Sequence, residues 1–127
     1  MKSKIMLIED DQTMVTLLTT LLQYEGFETA ALKNDEDLDI ILEDIRREQP
    51  DVILLDVHLR QINGLDLLHA VRKNEDTCQI GVIISSGMDV SQRCIELGAN
   101  AFILKPYMPD DLLHKIYQVL ANAELRE

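Results

Sequence analysis

The chain has 127 residues, 46% of them hydrophobic and 28% charged, which suits one domain whose core needs neither disulfides nor a structural metal. Acidic residues outnumber basic ones 23 to 12, for a net charge of -11. That balance excludes direct nucleic-acid binding, where Lys and Arg must neutralise phosphates, and it disfavours an anionic membrane surface.

In chain order, short apolar runs alternate with amphipathic stretches. Ile5-Met6-Leu7-Ile8 reads as a buried strand that stops at Glu9-Asp10-Asp11. The run is too short for a signal peptide or a membrane span, so the expected location is cytoplasmic. Met14, Val15, Leu17, Leu18, Leu21 and Leu22 form a helical stripe ended by Gly26. A weaker strand follows over Phe27 to Ala31. A second helix carries Leu38, Ile41, Leu42 and Ile45, with Asp35, Glu36 and Asp37 before it and Arg46 and Arg47 at its end, a polarity that suits the helix dipole. Pro50 breaks the chain before the strand Val52 to Asp56. Leu65, Leu68 and Val71 mark a third helix, and Val82-Ile83-Ile84 a fourth strand ending at Ser85-Ser86-Gly87. A short helix over roughly Val90 to Leu97 closes at Gly98. Its Cys94 shares helical spacing with Val90 and Leu97 and reads as a small core residue; with Cys78 it makes neither a disulfide framework nor a zinc pattern. The fifth strand runs from Ala101 to Leu104, and Pro109 opens a last helix with Leu112, Leu113, Ile116 and Leu120.

Strands that are continuously apolar rather than alternating, each followed by a helix, imply an α/β fold: a parallel sheet covered on both faces. No linker or repeat interrupts it, so a single domain over 1–127 is expected.

In an open parallel sheet, sites form beyond the carboxyl ends of the strands. Those ends carry Glu9, Asp10, Asp56, Ser85 and Lys105, brought from four separate parts of the chain; Asp11 reads as the cap of the following helix. Crowded carboxylates repel one another, and a hard divalent cation relieves this; Mg2+ suits because it keeps waters and readily adds a phosphate oxygen. A carboxylate attacks an anionic phosphoryl group only once charge is neutralised, which a metal ion and Lys105 would supply. The Ser85 hydroxyl can donate to a new phosphoryl oxygen.

Here the sequence resembles the CheY-like receiver domain of bacterial two-component response regulators over nearly its whole length. The resemblance is carried by Ile5-Met6-Leu7-Ile8-Glu9-Asp10-Asp11, by Asp51-Val52-Ile53-Leu54-Leu55-Asp56 with Gly64 eight residues later, and by Gly98-Ala99-Asn100-Ala101-Phe102-Ile103-Leu104-Lys105-Pro106. It implies a flavodoxin-like, doubly wound sheet of order 2-1-3-4-5. It implies that Asp56 accepts a phosphoryl group from the phosphohistidine of a partner histidine kinase or phosphotransfer protein. Asp10, Asp56, the backbone carbonyl of His58 and, through water, Glu9 would hold Mg2+. Lys105, aimed by a cis Lys105-Pro106 bond, would pair with the phosphate, while Ser85 and Phe102 would reorient as switch residues. The consequence would be a shifted fourth-helix, fifth-strand and fifth-helix face, read between Asn100 and Gln118 with Tyr107 and Tyr117, by a protein target, a fused output domain or a second copy. Such a domain catalyses only its own phosphorylation and dephosphorylation.

The sequence departs from the family where Leu59-Arg60 replaces the usual Met-Pro, which predicts a looser loop with a positive charge at its rim. His58 is expected to face solvent, the fourth helix to be clipped, and Ser86 stands one residue from exchanging roles with Ser85. Three rivals exist. A haloacid-dehalogenase-type phosphatase would need an Asp where His58 stands. A flavodoxin-like cofactor binder would need a Ser/Thr/Gly-rich first loop in place of the acidic one. An interaction module could keep the fold without ever being phosphorylated.

Overall fold

The computed structural model describes residues 2–32 and 37–125. Its elements run β1 (Lys4–Ile8), α1 (Gln12–Tyr24), β2 (Glu28–Ala31), α2 (Leu38–Glu48), β3 (Val52–Asp56), α3 (Gly64–Lys73), β4 (Gly81–Ser86), α4 (Ser91–Glu96), β5 (Ala101–Leu104) and α5 (Pro109–Leu125). All strand pairs are parallel, in the order β2-β1-β3-β4-β5.

Successive strand residues point to opposite faces, so each apolar run feeds two cores. Met6, Ile8, Ile53, Leu55, Val82 and Ile84 pack beneath α2, α3 and α4. Ile5, Leu7, Val52, Leu54 and Ile83 pack beneath α1 and α5. This is why the strands lack a polar alternation. Cys94 is fully buried in the first of these cores.

The helix ends follow local chemistry. Asp11 caps α1, accepting from the N–H groups of Thr13 (2.9 Å) and Met14 (3.3 Å). Asp37 caps α2 in the same way, and α2 carries Arg46 and Arg47 in its last turn; Asp35 and Glu36 lie outside the described residues. Gln49 ends α2 in the left-handed region (φ 48°) just before Pro50. α4 is short, six residues, and closes at Gly98, whose φ of 101° favours glycine.

One residue that sequence patterning passed over fixes the lower end of β5. Arg72, in the last turn of α3, donates to the carbonyls of Gly98 (2.8 Å), Cys78 (3.1 Å) and Ile80 (2.7 Å) and to Asn100 Oδ1 (2.8 Å). Asn100 Oδ1 also accepts from Val82 N–H (2.8 Å), tying the turn before β5 to β4. Arg72→Met keeps much of the stem but removes these donors, and a loss of about 2 kcal/mol is expected from urea unfolding. An unchanged unfolding midpoint would sink this reading of Arg72.

Candidate functional site

The carboxyl edge of the sheet gathers residues far apart in sequence. Asp56 is the last residue of β3 and sits opposite Ser85 of β4 in the strand register. Glu9 follows β1 and Lys105 follows β5. The Lys105 ammonium bridges Glu9 Oε2 (3.2 Å) and Asp56 Oδ2 (3.3 Å), although Glu9 and Lys105 are 96 positions apart. Both carboxylates are nearly enclosed, with side-chain exposures of 9% and 10%. Asp56 Oδ1 accepts from the His58 N–H at 3.1 Å.

Strand alternation explains the convergence. Asp56 and Ser85 continue the parity of Leu54 and Ile83, which face α1 and α5. Ser86 has the parity of Ile84, on the opposite face, and its hydroxyl accepts from the Met88 N–H at 3.0 Å. Ser85 is thus the register partner of Asp56, and the Ser86 hydroxyl is engaged by the Met88 N–H. Phe102, paired in register with Ile84, lies half-buried against the α2–α3–α4 core.

The electrostatics follow from the crowding. Burial, then the hydrogen bond and charge of Asp56, push the Glu9 carboxyl up to about 7 despite the opposing Lys105. Burial works to lower Lys105, but the charges of Glu9 and Asp56 outweigh it and hold the ammonium above its usual range. Tyr107 is pushed up to about 12 by burial and by the same two carboxylates.

The raised Glu9 carboxyl gives a signed pH dependence. Between about pH 4.5 and about 7 the native, metal-free protein keeps a proton that the unfolded chain has released, so stability falls as pH rises through that window. The expected fall, reduced by solvent screening at this partly open edge, is about 1–2 kcal/mol. Urea unfolding in EDTA at either end of the window checks it: the fall should vanish in Glu9→Gln, and its persistence there would assign it to other groups.

Asp10 behaves differently from its neighbour. Its Oδ2 accepts a hydrogen bond from the main-chain N–H of Arg60. Among the described residues no three acidic, His or Cys side chains are grouped to hold a metal ion. The donor set nonetheless fits a hard cation. It is all oxygen, and the Glu9 and Asp56 carboxylates face each other across the Lys105 ammonium. The loop after Asp56 carries the Arg60 N–H to Asp10 hydrogen bond and a bridge between His58 and Asn63. His58 is exposed and the Lys105-Pro106 bond is cis, both as expected. Tyr117 packs its ring against Phe27, with centroids 5.6 Å apart, and remains half exposed on α5.

A fold and an edge of this kind define a phosphoacceptor class of signalling domain. A family model described as the response regulator receiver domain matches residues 5–117, and the chain belongs to that family. It is 32% identical to the transcriptional regulatory protein CpxR of Escherichia coli over 127 residues, covering 98% of this chain and 52% of CpxR. It is 27% identical to the DNA-binding response regulator MtrA of Mycolicibacterium smegmatis over 124 residues, covering 98% of this chain and 53% of MtrA. The chain thus spans about half the length of the curated relatives it matches. Among solved structures, a CheY-like response regulator receiver domain protein from Methanospirillum hungatei superposes with a TM-score of 0.87 at 25% identity, covering 100% of both chains. The receiver domain of sensor histidine kinase PA1611 from Pseudomonas aeruginosa, described with magnesium in its active-site cleft, shares the fold at 19% identity, with a TM-score of 0.81 and 95% and 99% of the chains covered. Among the described residues no helix is long and apolar enough to cross a membrane.

Proposed function

We propose that Asp56 is the phosphoacceptor of this receiver domain, and that the observation carrying this reading is the Lys105 ammonium held between Asp56 and Glu9. An Asp56 carboxylate oxygen attacks the phosphorus of a phosphohistidine on a partner kinase or phosphotransfer protein. The P–N bond breaks as the new O–P bond forms, and the departing imidazole keeps the electron pair and takes up a proton. Lys105 offsets negative charge where the phosphoryl oxygens arrive, and the Ser85 hydroxyl, on the same face, supplies a hydrogen bond to one of them. Glu9, Asp10, Asp56 and the His58 carbonyl are the groups that would hold Mg2+, which would supply further charge neutralisation.

New partners for Ser85 and Lys105 on one side of the sheet, with Phe102 on the other, bias the α4–β5–α5 surface between two arrangements. A groove of about 530 Å³ between Phe102, Leu104, Tyr107, Asp111 and His114 lies on that surface, where a protein target, an output domain or a second copy would read the change. MtrA is named as DNA-binding, but the net charge of -11 supports no direct nucleic-acid contact by this chain. The reading treats the chain as a switch rather than an enzyme acting on a separate substrate, and places it in the cytoplasm.

Intact mass after incubation with acetyl phosphate tests the proposal, with and without Mg2+, on wild type and Asp56→Ala. The expected result is a Mg2+-dependent gain of one phosphoryl group in wild type alone. No gain under rapid sampling would favour an interaction module that works without phosphorylation.

A further inference from the structure

We infer that Tyr107 is a movable partition between two grooves on either side of the β5–α5 loop, so that filling one groove changes the shape of the other.

The first groove, of about 670 Å³, runs along α1, where Met14, Leu17, Leu18 and Leu21 line it. The second is the groove of about 530 Å³ on the α4–β5–α5 surface, lined by Phe102, Leu104, Met108 and His114 among others. Pro106 and Tyr107 line both. Proline's closed ring leaves it little freedom to turn, so Tyr107 is the part of the shared wall that can move. Its side chain rests half-buried on the core beneath α1 and α5. No hydrogen bond to another described residue pins its hydroxyl. Lys105, two positions earlier on the same loop, lines the α1 groove and bonds Asp56, so the partition stands beside the candidate site.

A side chain packed on all sides moves only at the loss of many close contacts, whereas one with open space on two sides gives way with few lost. A body pressing on Tyr107 from the α1 side therefore alters the groove on the α4–β5–α5 side, and the reverse holds because coupling between sites is reciprocal. The consequence is a second input to the output surface. An occupant of the α1 groove changes what that surface offers its reader with no change at Asp56.

Methionine methyl groups report on the grooves separately. Met14 lies in the first, Met108 in the second, and the buried Met6 serves as reference. Leu17 is 61% exposed, so Leu17→Trp adds volume at the α1 groove while leaving the core intact. Methyl NMR of the full chain is expected to show the Met14 and Met108 signals displaced in Leu17→Trp, with Met6 unmoved. Adding Tyr107→Phe, which keeps the ring, should preserve the Met108 displacement. Adding Tyr107→Ala, which removes the ring, should abolish it.

A Met108 signal unmoved by Leu17→Trp would overturn the partition, and this comparison stands even if Tyr107→Ala fails to fold. A Met108 displacement that survives Tyr107→Ala would overturn it as well, because the effect would then reach Met108 by another route, such as the field of the indole ring itself. None of these signals requires a phosphoryl group on Asp56, so the partition and the proposed function fail or stand separately.

Discussion

Gly64→Ala is expected to cost about 3 kcal/mol, the upper range for forcing one extra methyl into a packed site. A Cβ on Gly64 would lie 2.5 Å from the carbonyl oxygen of Asp56 and 2.8 Å from Val57 Cα. Both are main-chain atoms, so no side-chain rotation relieves the contact. Backbone freedom is not the issue, since Gly26 and Gly98 are the glycines with positive φ. Close approach is: Gly64 N–H donates to the Val57 carbonyl at 2.9 Å, which seats the start of α3 directly on the end of β3. The atom displaced belongs to Asp56 itself, the proposed phosphoacceptor, so relief shifts its main chain, and phosphorylation by acetyl phosphate should slow as stability falls. Gly87→Ala is the matched control. Its Cβ would meet nothing within 4 Å, and a change within about 0.5 kcal/mol is expected there. Equal urea midpoints for the two variants would refute the steric account.

On the proposed function, Lys105→Met should slow phosphorylation of Asp56 by at least about tenfold, since the ammonium beside the Asp56 carboxylate is lost. The same substitution leaves Glu9 and Asp56 facing each other without their shared cation. Removing one member of a largely enclosed charge group is costly, but Glu9 can escape by keeping its proton, already held to about 7. The expected loss in metal-free protein is therefore held to about 1–2 kcal/mol, largest above neutral pH. The Glu9 carboxyl should rise further, visible by carbon-detected NMR titration of its side chain. A wild-type phosphorylation rate in Lys105→Met would contradict the assigned role, and an unmoved Glu9 titration would contradict the electrostatics.

What the sequence by itself determined was the periodicity. Runs such as Val52 to Asp56 and helical stripes such as Leu38, Ile41, Leu42 and Ile45 state which segments are buried on both faces and which on one, and that dictates a parallel sheet between two helix layers. Reading the strand ends then placed Glu9, Asp10, Asp56, Ser85 and Lys105 on one edge, because in such a sheet all strands point the same way. Tertiary structure decided whatever depends on contacts between distant segments. It paired Ser85 with Asp56 in register and gave the Ser86 hydroxyl the Met88 N–H. It turned Tyr117 onto Phe27, and it gave Arg72 the carbonyls of two different turns. It brought the Arg60 N–H to Asp10, a contact invisible in either segment alone. The physical reason is one of range. Burial and local backbone preference repeat along the chain and leave a pattern, whereas a hydrogen bond or a steric contact across the fold is set by angstrom-scale packing that no local pattern encodes.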